Sequence, residues 1–186
     1  MPEVVDLACV TGRFQPVHGQ HLELFEIALQ FSEHLVVAVT NPDSRSLFQS
    51  TSSTHRHREQ DNPFTYFERV ALLRAALAER GLLEKTTILP FDLGAPEQWA
   101  EYVPLTARQY VRIYSAWERD KAELLRAAGY AVVALDGDVA GRLSSSEIRA
   151  RMATGGDWQS LVPAATVAPL LGHPLAGPHE TREAQA

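Results

Sequence analysis

Cysteine occurs once in the 186 residues, at Cys9. Neither an intrachain disulfide framework nor a cysteine zinc cluster can therefore form. No apolar run approaches the roughly 20 residues of a spanning helix, and Met1-Pro2-Glu3 lacks the basic start of a secretory leader. Positive charge is in deficit: Lys plus Arg number 17 against 23 Asp plus Glu, a net charge of −6. That balance disfavours non-specific nucleic-acid binding or attachment to an anionic membrane, while leaving room for a small basic pocket that takes phosphate. No internal repeat is present. The expectation is a soluble, cytoplasmic protein without nucleic-acid or membrane partners. What is present is ordinary globular composition, 45% apolar and 22% charged, in a length that suits one domain around one core.

Two periodicities alternate along the chain. Val4 to Val10 is a short apolar run ending near Gly12 and reads as a buried strand. Gly19 to Phe31 carries Leu22, Phe25 and Leu29 at helical spacing. Leu35 to Val39 is β-branched and reads as a second strand. Asn62-Pro63-Phe64-Thr65 is a helix start, and Tyr66 to Glu79 is helical up to Gly81. Thr86 to Leu89, Tyr110 to Tyr114 and Tyr130 to Leu135 give three more strands. Trp117 to Ala128 and Ser146 to Ala153 give two more helices, closed by Gly129 and Gly155-Gly156. Strands alternating with helices predict an α/β fold, a parallel sheet of about five strands covered on both faces. Ligands then bind beyond the carboxyl ends of the strands. Residues 1–172 form the expected single domain. His173 to Ala186, rich in Pro, Gly and charge, reads as a flexible tail. The polar stretch Asn41 to Asn62 is long enough to be a lid or binding loop.

The densest chemistry lies in Thr11-Gly12-Arg13-Phe14-Gln15-Pro16-Val17-His18-Gly19-Gln20-His21, which runs from a strand end into a helix start. Gly12 permits a tight turn, and the first helical turn presents free N–H groups and a positive dipole end that suit phosphate. His18 and His21, three apart, share one helix face and can hold phosphate oxygens. Taken singly, each is as well explained as a surface or satisfied helix residue. A zinc reading lacks a third ligand at legible spacing. Ser144, Ser145 and Ser146 precede a helix, where hydroxyls and N–H groups can meet anionic oxygens. Arg149, one turn further, offers a guanidinium for bidentate phosphate contact. The plain alternative is a capped helix with a surface Arg.

The first segment resembles the signature Gly-Arg-Phe-Gln-Pro-x-His-x-Gly-His of the HxGH-type nucleotidyltransferase superfamily, in the form found in archaeal-type nicotinamide mononucleotide adenylyltransferases. Leu143-Ser144-Ser145-Ser146-Glu147-Ile148-Arg149 resembles the family's Ile-Ser-Ser/Gly-Thr-x-Ile-Arg motif. Asn62-Pro63-Phe64-Thr65 with Glu68-Arg69 resembles its Asn-Pro-Phe-Thr…Glu-Arg segment. Met152, Gly155 to Trp158 and Leu161-Val162-Pro163 resemble its C-terminal region. The resemblance spans residues 11 to 163 and implies a Rossmann-like nucleotidyltransferase fold. It further implies that His18, His21 and Arg149 act at the reacting phosphates. Thr11, Gly12, Arg13, Phe14, Gln15, Ser144, Ser145 and Ser146 would hold the nucleotide, with Asp136 placed for a ribose contact. An acceptor phosphate or phosphonate would attack the α-phosphorus of a nucleoside triphosphate and release pyrophosphate. An anionic acceptor needs no general base, so alignment and charge neutralisation carry the step. Mg²⁺ would arrive on the triphosphate oxygens with mostly water ligands, and no dedicated protein metal site is expected. A homo-oligomer is compatible with the resemblance, although no interface is legible.

Departures from the signature fall mostly on the acceptor half. Gln20 replaces the glycine before the second His. Leu89 to Gly94 stands where the family has an Ile-Pro-Asp-Ile-Asn-Arg-like segment. Ser115-Ala116-Trp117-Glu118-Arg119-Asp120-Lys121 replaces a Ser-Asn-Asn-Pro-like loop, and Thr40-Asn41-Pro42 replaces Gly-Ser-Ala-Gln. This asymmetry points to a changed, small and highly anionic acceptor, met by Asn41, His55, Arg56, His57, Arg58, Trp117, Arg119 and Lys121. Each charged cluster also reads as solvated surface. Phosphonate cytidylyltransferases, such as those acting on phosphonoformate, are relatives of this kind. CTP-dependent transfer to a small phosphonate is thus the leading reading. Adenylyl transfer to nicotinamide mononucleotide is the alternative, and a non-catalytic nucleotide-binding regulator a third. Trp99 and Trp158 read as packing residues, and Cys9 as an inert buried thiol.

Overall fold

The computed structural model describes residues 3–43 and 61–177. Five strands, β1 (Val5–Gly12), β2 (Ser32–Thr40), β3 (Thr86–Phe91), β4 (Arg108–Ile113) and β5 (Val132–Asp136), form one parallel sheet in the order β3-β2-β1-β4-β5. The helices are α1 (Gly19–Leu29), α2 (Tyr66–Glu79), α3 (Trp99–Tyr102), α4 (Ala116–Ala127), α5 (Ser145–Thr154) and α6 (Ala164–Leu171).

Successive strand residues point to opposite faces, so each strand feeds two cores. Ala8, Val10, Leu35, Val37 and Val39 pack under α1, α2, α5 and α6, with Phe25, Leu73 and Met152 among the buried contacts. Cys9, Val36, Ala38, Val111 and Ile113 pack under α3 and α4, against Trp99 and Leu125. Burial on both faces is why β1 and β2 read as nearly continuous apolar runs. Trp99 and Trp158 are core residues, as expected. Cys9 is fully buried, which pushes its thiol up to about 12 and leaves it inert.

The chain order reverses between β1 and β4. β1 pairs with β2 over Val5 to Gly12, but with β4 only through Ala8↔Arg108 and Cys9↔Gln109. The carboxyl ends of β1 and β4 therefore part, and a crevice opens at this switch point.

Three features differ from the sequence reading. His18 is not on the helix face; it is the extended N-cap of α1, with φ −146° and ψ 174°. α3 and α6 were not foreseen: α3 is a single turn, and Pro169 inside α6 masks the helical pattern. The expected tail does not begin at His173. His173 to Gly177 is docked: Ala176 is buried, Pro174–Ala176 forms a 3₁₀ turn, and the His173 ring lies 4.2 Å from that of Phe64.

Candidate active site

A cleft of about 580 Å³ lies over the β1/β4 switch point. Its floor is the turn after β1. Gly12 touches the Phe14 ring so closely that a Cβ there would sit 2.7 Å from Phe14 Cζ. Phe14 itself adopts φ 51° and packs edge-on against His21, with ring centroids 5.0 Å apart. A bulky residue held at positive φ marks strain at this turn.

Both imidazoles line the cleft at the head of α1. Their rings stack at 3.7 Å, and the His18 backbone N–H donates to His21 Nδ1 at 3.2 Å. That bond leaves Nε2 as the protonated nitrogen of neutral His21, a donor available to a substrate oxygen. His18 Nδ1 is buried without a hydrogen-bond partner. Burial pulls the His18 imidazole down to about 3, assisted by the charges of Arg142 and Arg112. Burial likewise holds His21 well below the usual histidine range, with His18, Lys121 and Arg112 adding to it. Both rings are neutral donors at neutral pH, beside a cleft that also holds Arg13, Arg112, Lys121 and Arg142. An acidic protein thus gathers a local cationic pocket suited to a polyanion.

The other helix head, that of α5, closes the cleft. Ser144 is its N-cap, with Oγ accepting from Glu147 N–H at 3.2 Å. Ser145 Oγ donates to the Pro16 carbonyl at 2.9 Å, tying α5 to the turn before α1. The first N–H groups of both helices have no intrahelical acceptor, so both heads can offer donors to an anion.

Most sequence-selected residues converge here. Thr11, Gly12, Arg13, Phe14, His18, His21, Ser144, Ser145, Ser146, Trp117 and Lys121 all line the cleft. Lys121 Nζ donates to the Thr11 carbonyl at 3.1 Å and lies 5.4 Å from the Trp117 ring centre.

Others are placed differently. Gln15 is buried away from the cleft, and its carboxamide clips Phe64 from both sides, at 3.1 Å to the carbonyl and 2.9 Å from the N–H. Arg149 is also off the cleft lining. Its guanidinium donates to the Gln15 carbonyl at 2.8 Å, Asp61 Oδ1 at 3.2 Å and Ser146 Oγ at 3.2 Å. A buried guanidinium must find such partners. Asn41 is buried behind the rim, and its carbonyl receives Arg69. Asp136 and Arg119 are exposed and stand outside the lining. His55, Arg56, His57 and Arg58 lie outside the described residues.

Sequence reasoning missed Arg112, Tyr114, Glu118 and Arg142 as cleft residues. Arg112 had a legible signal, a cation inside an apolar strand whose end faces the crevice. It missed the reach of Arg69 too. That side chain, 1% exposed, donates to the carbonyls of Thr40 and Asn41 at 2.7 Å each and of Arg13 at 3.0 Å, pinning the ends of β1 and β2 together.

No group of three or more His, Cys, Asp or Glu able to hold a metal ion occurs among the described residues. Among the described residues, the one carboxylate on the cleft lining, Glu118, already receives Ser115 Oγ and Arg142. This donor set fits a metal that enters on the phosphate oxygens of its substrate. No described helix is long and apolar enough to cross a membrane.

Residues 9–151 match the cytidylyltransferase-like family profile. The phosphonoformate cytidylyltransferase of Streptomyces viridochromogenes is 32% identical over 164 residues, covering 88% of this chain and 89% of the relative. The nicotinamide-nucleotide adenylyltransferase of Thermococcus onnurineus is 30% identical over 153 residues, covering 82% and 75%. Among solved structures, a bifunctional NMN adenylyltransferase/ADP ribose pyrophosphatase from Francisella tularensis superposes with a TM-score of 0.63 at 16% identity. That match covers 93% of this chain, which spans about half, 52%, of the larger protein.

Proposed function

The chain belongs to the cytidylyltransferase-like family and is a nucleotidyltransferase, and from that premise we propose that it transfers cytidylyl from CTP to a small phosphonate such as phosphonoformate. The observation that carries this reading is the near end-to-end match to the Streptomyces enzyme, 88% of one chain against 89% of the other. The cleft is consistent with it. Trp117 and Lys121 stand at the side where the sequence departs from adenylyltransferase signatures, and they offer a flat ring and a buried cation to a compact anion.

In the proposed reaction a phosphonate oxygen attacks the α-phosphorus, a new P–O–P bond forms, and the bond to the pyrophosphate oxygen breaks. The acceptor brings its own negative charge, so neither imidazole has to remove a proton. His21 Nε2–H donates to an oxygen of the phosphorus under attack, and the α1 and α5 heads neutralise the departing pyrophosphate. Arg149 acts from behind, holding Ser146 and the Gln15 carbonyl in place. Mg²⁺ bound to the triphosphate would neutralise charge on the leaving group, and no dedicated protein cage for it stands among the described residues. The proposed setting is the cytoplasm.

Adenylyl transfer to nicotinamide mononucleotide is the second reading, favoured by the Thermococcus relative at 30% identity. Pyrophosphate release separates the two in a two-by-two assay of CTP or ATP with phosphonoformate or nicotinamide mononucleotide, Mg²⁺ throughout. Release confined to CTP with phosphonoformate is the expected result. Release confined to ATP with nicotinamide mononucleotide would overturn it in favour of the second reading.

A further inference from the structure

Gln20 is the second residue of α1, and its carboxamide makes three hydrogen bonds to two distant parts of the chain, the end of β4 and the loop before α5. Nε2 donates to the Gly141 carbonyl at 2.8 Å. Oε1 accepts from the Leu143 N–H at 3.0 Å and from the Tyr114 hydroxyl at 3.1 Å. A side-chain amide with both ends engaged acts as a strut.

What it braces is the wall of the cleft between the two helix heads. Tyr114 is closely packed by Arg142 and Gly137. The Arg142 guanidinium lies 4.8 Å from the ring centre, and Gly137 approaches so closely that a Cβ would sit 2.4 Å from Cε1. Arg142 is anchored in turn by Glu118 at 3.3 Å. Gln20, Tyr114, Arg142 and Leu143 all face the cleft. The 137–143 loop leads directly into Ser144, the cap of α5. Phosphates held on that helix head therefore bring the attached nucleoside against this wall. With Gln20 in place the wall stands at a fixed spacing from the head of α1, and its backbone groups at 141 and 143 are already satisfied.

We propose that Gln20 is a specificity-determining residue: by holding this wall in, it leaves room for a one-ring base and disfavours a two-ring base on the nucleoside triphosphate. The inference rests on the cytidylyl-transfer reading and deepens it. Shortening the side chain releases the loop and widens this end of the cleft, which relieves a purine and loosens a pyrimidine.

The test is direct binding of CTP and of ATP, each with Mg²⁺, to wild type, Gln20→Gly and Gln20→Asn by titration calorimetry, without acceptor. Thermal unfolding of each variant checks the fold. Wild type is expected to bind CTP more tightly than ATP. Gln20→Gly is expected to move the CTP:ATP affinity ratio toward ATP by roughly tenfold or more, the scale of a pocket change of this size. Gln20→Asn, too short to span the gap, is expected to do the same. A wild-type preference for CTP that both variants retain would overturn the role of Gln20 and leave cytidylyl transfer standing. A wild-type preference for ATP would overturn both. General loss of structure lowers both affinities and cannot raise that for ATP.

Discussion

His18 and His21 are linked through backbone and ring together: the His18 N–H donates to His21 Nδ1 at 3.2 Å while the two rings stack at 3.7 Å. The first bond fixes which nitrogen of His21 faces the cleft, and the stacking fixes its angle. His21→Ala is expected to lower kcat about 10²–10³-fold, the usual cost of removing one aligned donor at a developing charge. CTP affinity should fall far less. Pyrophosphate release under saturating substrate, set against calorimetric CTP binding, reads the two effects separately.

Stability should fall in mild acid. His18 is held at about 3 and His21 well below the ordinary value of 6.5. Between those values the unfolded chain binds protons that the folded chain refuses, so stability is complete above pH 6.5 and drains away as pH drops. The expected loss from pH 7 to pH 5 is about 2 kcal/mol from His18, with His21 adding in the same direction. Urea unfolding at the two pH values checks this, and His18→Gln should show a shallower dependence.

Arg69 gathers the carbonyls of Arg13, Thr40 and Asn41. Burial pulls its guanidinium down to about 10, which still leaves it charged at neutral pH. Arg69→Met should cost about 3 kcal/mol, because the buried carbonyls of Thr40 and Asn41 and the half-buried one of Arg13 lose their donor at once. Denaturant titration gives the number. An unfolding midpoint equal to wild type would show that water replaces the guanidinium.

Lys121 is nearly buried, with Nζ 3.1 Å from the Thr11 carbonyl. Lys121→Met keeps the stem packing and removes the charge. The expected result is an acceptor KM raised on the order of tenfold or more, with a smaller change in KM for CTP. Equal changes for both substrates would move Lys121 from the acceptor to the general field of the cleft.

The sheet and most helices were legible because their periodicity and punctuation agree. The helix expected over Tyr66 to Glu79 forms there, since Thr65 and Glu68 cap its start reciprocally. Within the cleft, contiguous stretches were legible: Thr11 to Phe14, the two histidines and the three serines. What escaped depends on distance in sequence. Arg142 is a cleft residue only because Glu118 and Tyr114 lie beside it. Gln15, read as a nucleotide contact, is a clip on Phe64, and no local pattern announces a partner 49 residues away. Arg149 looked free on its helix, yet its neighbours Asp61 and Gln15 arrive from elsewhere in the fold.

The segments that carry the nucleotidyltransferase signature are bonded to one another. Gln15 holds Phe64, Arg69 holds Arg13, Arg149 holds Gln15, and Ser145 holds Pro16. These segments form one interlocked chassis, in which replacing any member disturbs the rest. Ser115 through Lys121, the head of α4, follows β4, which is joined to β1 by two register pairs, and Lys121 ties this helix head to the chassis through the Thr11 carbonyl. If the proposed acceptor role of this segment holds, grafting it between relatives to change substrate must carry Lys121 along, so that the Thr11 carbonyl keeps its donor.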